Sequence, residues 1–143
     1  MSPYVEQKIL ASTPLELICL LYRHATRCIR DAREHLVARR IAERSRSIEK
    51  AWAVLAELAC SIQADERGCV GSNLLDLYAY MQGQLVYANL HQVDAPLAEV
   101  LGLLSTLLEA WETVTLQSSG SLGGNTHWAP GKVATSNGHA FRA

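Results

Sequence analysis

The chain is poor in the residues that most enzymes and small secreted domains depend on. It has one Phe and four Pro in 143 residues. Its four cysteines, Cys19, Cys28, Cys60 and Cys69, form no Cys-x-x-Cys pair. A disulfide framework or a zinc ribbon is therefore not expected, and reduced, partly buried thiols are the plain reading. Cys19 and Cys28, nine apart, fall on opposite sides of one helix and cannot bond to each other. There is no Gly-rich phosphate loop, no serine nucleophile elbow and no Glu-x-x-His pair of the kind that builds a di-metal bundle. His24 and Cys28, at i and i+4, are two potential metal ligands without a third, so a bundle-flank pair is the preferred reading. No catalytic residues, metal or cofactor are expected. No apolar run is long enough to span a bilayer, so stable membrane insertion is not expected. The N-terminus has no secretory signal pattern, and cytoplasmic residence is the expectation.

A formal net charge of −1 gives no general attraction to nucleic acid. Arg23, Arg27 and Arg30 share a face, and Arg39, Arg40, Arg44 and Arg46 cluster near a turn. Asp31, Glu34, Glu43 and Glu49 are interleaved with them and stacking aromatics are absent, so the arginines read as a solvated face.

What is present is helical periodicity. Thr13-Pro14-Leu15-Glu16 is a capping box with Pro at the first helical position. Leu15, Ile18, Tyr22, Ala25, Ile29, Ala32 and Leu36 follow it as one apolar stripe. The phase breaks at 37–42, where a tight turn without Gly or Pro is expected. A second helix over 42–64 carries Ile48, Ala51, Leu55, Leu58 and Ile62, with Trp52 beside them. A two-glycine loop at 65–72 is expected next, with Asn73 as the N-cap of the third helix. Asp94 caps the fourth helix, with Pro96 in its first turn. Its inner stripe is Leu97, Leu101, Leu104, Leu108 and Trp111.

These signals predict an all-α fold: an antiparallel up-down-up-down four-helix bundle with a short N-terminal arm (1–12), a bundle domain (13–117) and a disordered Gly/Ser-rich tail (118–143).

Two helices carry more apolar surface than one packing face uses. The third has Leu74, Tyr78, Met81, Leu85 and Ala88 on one stripe, and Tyr80, Gly83, Tyr87 and Leu90 on another. The fourth adds Val100, Leu103, Leu107 and Val114. The surplus fits a wide core, a homodimer seam, or an outer groove that receives amphipathic helices. Spacing alone leaves these open.

The same residues carry a resemblance. Tyr4 and its apolar arm lead into Ala11-Ser12-Thr13-Pro14, then Leu15, Leu20, Leu21 and Tyr22, and Lys50-Ala51. Asn73-Leu74 with Leu77-Tyr78-Ala79-Tyr80-Met81, Leu85, Ala88-Asn89-Leu90 and Ala110-Trp111 complete the series. From Tyr4 to Val114 the chain resembles the flagellin-specific export chaperones of the FliS family. It departs from their pattern at the inserted Thr13, at Arg23-His24 in place of Asp-Gly, and at Ala79 in place of Asp. The resemblance implies a non-enzymatic cytosolic protein, a monomer or weak homodimer. Its partners would be the disordered C-terminal segment of flagellin and a component of the flagellar export gate, with no nucleic acid.

On that reading the client grooves are expected on Leu17, Leu21, Leu75, Tyr80, Tyr87, Leu90, Leu103 and Leu107. Tyr4 and Ile9 of the arm are expected to cover part of a groove. The rivals are a self-associating structural bundle and a nucleic-acid-binding helical module built on the arginines.

Overall fold

Thr13 starts the first helix as its sequence demands. Its hydroxyl accepts the Glu16 N–H at 3.2 Å, and the Glu16 carboxylate accepts the Thr13 N–H at 3.1 Å. Two of the unpaired donors of the first turn are thereby satisfied. The computed structural model describes residues 13–65 and 68–120, and the side chains of 13–62 and 71–117. Among the described residues there are four helices: α1 Pro14–Val37, α2 Ile41–Asp65, α3 Gly68–His91 and α4 Ala95–Gly120. Packing groups the chain to Glu112 in one unit and the chain from Thr113 in another, so the bundle is described to Glu112.

Side-chain contacts fix the directions. Arg44 near the start of α2 bonds Asn89 near the end of α3. Arg33 late in α1 holds Asp94 before α4, while Arg23, earlier in α1, reaches Glu112 far along α4. Neighbouring helices therefore run antiparallel, and the four form an up-down-up-down bundle. The core is aliphatic with two tyrosines: Tyr22, Ile29, Leu55, Met81, Leu85 and Leu104 are among its fully buried side chains.

Both tight connections end their helices in the same way. Arg39 adopts φ 63° and Gln92 φ 55°, the left-handed region that glycine tolerates best. Beyond Arg39, the Arg40 N–H reaches the His35 carbonyl (2.9 Å) and the Arg39 N–H reaches Leu36 (3.2 Å). This is a Schellman pair made without glycine. Beyond Gln92, the Val93 N–H reaches the Ala88 carbonyl at 3.2 Å. Arg39→Gly and Gln92→Gly are each expected to stabilise the bundle by about 0.5–1 kcal/mol, read as a higher urea midpoint with unchanged slope.

Several expectations are corrected. The third helix begins at Gly68, not Asn73, so Asn73 is an exposed residue inside the helix and caps nothing. Continuing the helix through Gly71 costs about 1 kcal/mol in propensity but keeps the segment's backbone groups paired, and buries Gly71 itself. Asp94 does sit at the start of α4, where its carbonyl accepts the Ala98 N–H. Its carboxylate, however, is taken up by Arg33 through two bonds of 2.7 and 2.8 Å. Val100, placed on an outer stripe by spacing, is fully buried, while Leu101, Leu108 and Trp111 are half-buried. Because α4 has a neighbour on each side, its buried line falls between the two stripes. Helix α4 also runs to Gly120, three residues beyond the expected end. Arg44 is not on a solvated face: it is buried, held by Asn89 near the end of α3.

A polar bridge crosses the core between α1 and α3. The hydroxyls of Tyr22 and Tyr78 share a hydrogen bond of 2.7 Å, and Trp111 is a second partner of the Tyr22 hydroxyl. Burial raises both phenol pKa values, so the pair stays neutral. One hydrogen-bonded chain thus ties α1, α3 and α4 in a single register.

Candidate functional site

A helix packed on one side should be polar on the other. Helix α3 is not. Its phase is set by its neighbours: Gln82 donates to the Trp52 carbonyl of α2 and Asn89 accepts from Arg44, while Tyr80 and Gln84 donate to Glu99 of α4. Residues seven apart nearly superimpose on a helix. Leu75 therefore lies with Gln82 and Asn89 on the α2 side, and Tyr87 lies with Tyr80 towards α4. Between these flanks, facing solvent, are Ala79, Gly83, Val86 and Leu90. Tyr80 is 47% exposed, Tyr87 51% and Leu90 72%.

The α3–α4 flank is the most developed part of this surface. Leu103 and Leu107 of α4, four apart and in line with Glu99, are half-buried and packed against the core, as is Leu77 of α3. Above this apolar floor the Tyr80 hydroxyl donates to the Glu99 carboxylate at 2.8–2.9 Å, and Gln84 donates to it at 2.7 Å. The carboxylate holds the Tyr80 phenol proton and raises its pKa. Tyr80 is thereby tied to α4 while its residue stays half in water. Tyr87 stacks on His91 with ring centroids 4.2 Å apart. Gly83, between the two tyrosines, has open space where a Cβ would stand.

The expected site residues do not all meet. Tyr80, Tyr87, Leu103 and Leu107 share the α3–α4 flank, and Leu90 continues the outer face of α3 towards its C-terminus. Leu17 and Leu21 are half-buried on another flank. They fall in line with His24 and Cys28, whose electrostatic neighbour is Lys50 of α2. Leu75 is half-buried on the α2 side. Tyr4 and Ile9 lie outside the described residues. Sequence reasoning missed Val86, Leu77 and Glu99. Val86 was legible as an apolar residue seven beyond Ala79, whereas Glu99 joins the flank only through contacts between helices.

His24 and Cys28 are in contact, Nε2 to Sγ 3.9 Å. Among the described residues, no group of three His, Cys, Asp or Glu is placed to hold a metal ion. Burial lowers the His24 pKa from 6.5, with Arg27 and Lys50 adding to the effect. The unfolded chain therefore binds the proton more readily, and the His24 contribution is lost as pH falls below about 6.5. His24→Gln is expected to flatten part of the stability loss between about pH 6.5 and 5, measured by urea midpoints.

An uncovered apolar helix face on an aliphatic bundle, flanked by a groove with a polar rim, suits a helical partner. Comparison with known proteins narrows this. The family model for the flagellar protein FliS matches residues 1–118. The chain belongs to the FliS family. It is 29% identical over 116 residues to the flagellar secretion chaperone FliS of Salmonella typhimurium, covering 80% of this chain and 86% of that one. It is 28% identical over 111 residues to the flagellar secretion chaperone FliSB of Pseudomonas aeruginosa, covering 78% of this chain and 88% of that one. Among the described residues no helix is long and apolar enough to cross a membrane.

Proposed function

We propose that this FliS-family protein is a cytoplasmic secretion chaperone that binds the disordered C-terminal segment of flagellin. It would keep that segment from polymerising early and deliver it to the flagellar export gate. Family membership and the naming of the two relatives support the general role. The observation that carries the finer reading is the half-exposed pair Tyr80 and Tyr87, beside a groove floored by Leu77, Leu103 and Leu107.

The energetics fit a disordered client. Ordering such a segment costs about 2–5 kcal/mol of the gross interaction, offset by burying on the order of 1,000–3,000 Å². A face of α3 continuous with the α3–α4 flank offers apolar area over several turns. Leu17, Leu21 and Leu75 would engage the client where it wraps beyond that flank. Tyr4 and Ile9 of the arm would cover part of a groove until the client arrives. No chemistry is required, since binding and release suffice.

The test is calorimetry of the full chain against about forty C-terminal residues of its own flagellin. The expected result is one-to-one binding with a large negative heat-capacity change. A folded protein that gives no heat at any temperature would overturn the reading. Light scattering addresses the rival, since a dimer stable at low micromolar concentration would place the α3 face in a self-association seam.

A further inference from the structure

Four helix ends meet at one pole of the bundle, brought together by the Arg44–Asn89 and Arg33–Asp94 contacts. Val37 (82% exposed), Ile41 and Val93 stand in solvent there, each from a different helix end, with Leu90 at their edge. No stripe in the sequence links them. Beside them, Arg39, Arg40 and Arg46 are exposed. Arg44 is 5% exposed, and its guanidinium finds only neutral acceptors: the Asn89 side-chain oxygen at 2.8 Å and the Asn89 carbonyl at 3.4 Å.

The local charge balance is opposite to that of the whole chain, whose net charge is −1. Asp94 is neutralised by two bonds from Arg33. Glu34 and Glu43 are the carboxylates nearest to the 38–40 turn in sequence, against the four arginines Arg39, Arg40, Arg44 and Arg46. Among the described residues no ion pair joins Arg39, Arg40, Arg44 or Arg46 to an acid. A depression of about 400 Å³, lined by Arg33, Glu34, Val37 and Asp94, opens at the same pole.

From this juxtaposition we infer that the pole is a second protein-docking surface, apart from the α3–α4 flank, and that it takes an acidic amphipathic segment of a partner other than the client. The aliphatic side chains need apolar cover that a phosphate backbone does not supply, so a peptide with aliphatic residues flanked by Asp or Glu matches both features. The inference does not rest on the flagellin reading, because the two surfaces share only Leu90 at their border.

The test is NMR of the ¹⁵N-labelled full chain, titrated with an amphipathic Leu/Glu peptide about five turns long. Parallel titrations use its Leu/Lys counterpart, a single-stranded oligonucleotide and phosphatidylglycerol vesicles. The expected result is that the Leu/Glu peptide shifts signals at 37–46 and 89–95. Binding should weaken roughly tenfold in an Arg39→Glu/Arg40→Glu/Arg46→Glu chain, and again in a separate Val37→Ser/Ile41→Ser chain. All five positions are exposed, and a melting curve by circular dichroism confirms that each variant folds. The proposal is overturned if the Leu/Lys peptide binds as well, if the shifts fall elsewhere, or if either variant binds like the wild type. It is equally overturned if the oligonucleotide or the vesicles take the pole more tightly than the acidic peptide.

Discussion

Tyr78→Ala is expected to destabilise the bundle by about 3–5 kcal/mol, enough to unfold a large fraction of a domain of ordinary stability. Tyr78 is buried, packs edge-on to Tyr22 with centroids 6.4 Å apart, and shares the 2.7 Å hydroxyl bond with it. Removing the ring leaves a cavity where α1 and α3 meet and takes one of its two partners from the buried Tyr22 hydroxyl. The hydroxyl part is separable. Tyr22→Phe deprives both Tyr78 and Trp111 of a partner and is expected to cost about 1–3 kcal/mol. Tyr78→Phe should cost less, because Tyr22 keeps Trp111. The double Phe variant should be more stable than the two single costs added together. Urea unfolding of the four chains gives the coupling directly, and additive costs would show that the bridge contributes nothing as a unit.

Two residues further along the same helix the expected effect is of another kind. Tyr80→Ala/Tyr87→Ala should weaken binding of the flagellin segment roughly a hundredfold, the factor that about 3 kcal/mol represents. Stability should move by no more than about 0.5 kcal/mol, because both rings are half in water. Tyr80 loses an exposed hydrogen bond to Glu99, and Tyr87 its stack on His91; neither holds the core together. Calorimetry and thermal melts on the same preparation separate the two readouts. Unchanged client affinity would move the groove away from the α3–α4 flank, and the Leu17–Leu21 flank would be the next to vary.

The contrast between Tyr78 and Tyr80 marks the limit of sequence reasoning here. Periodicity placed them on two different stripes of the helix and separated a core tyrosine from a flanking one. It did not say whether the flank was covered. That depended on where α4 lies, and the Glu99 contact that fixes it has no local signal. The same holds for Val100, drawn inward by a neighbour on each side of α4, and for Arg44, buried because Asn89 of another helix receives it.

The sequence by itself determined the helical class, the Thr13 capping box, the antiparallel order and the aliphatic core, because these follow from capping chemistry and from a 3.6-residue period that any neighbour must respect. Its motif order also points to the FliS family without reference to any tertiary contact. The tertiary structure alone decided where α3 begins, which apolar stripes remain in water, and which arginines at the turn-bearing pole have no ion pair among the described residues. Those outcomes depend on contacts between residues distant in sequence, such as Arg33 with Asp94, and no periodicity within one helix encodes them.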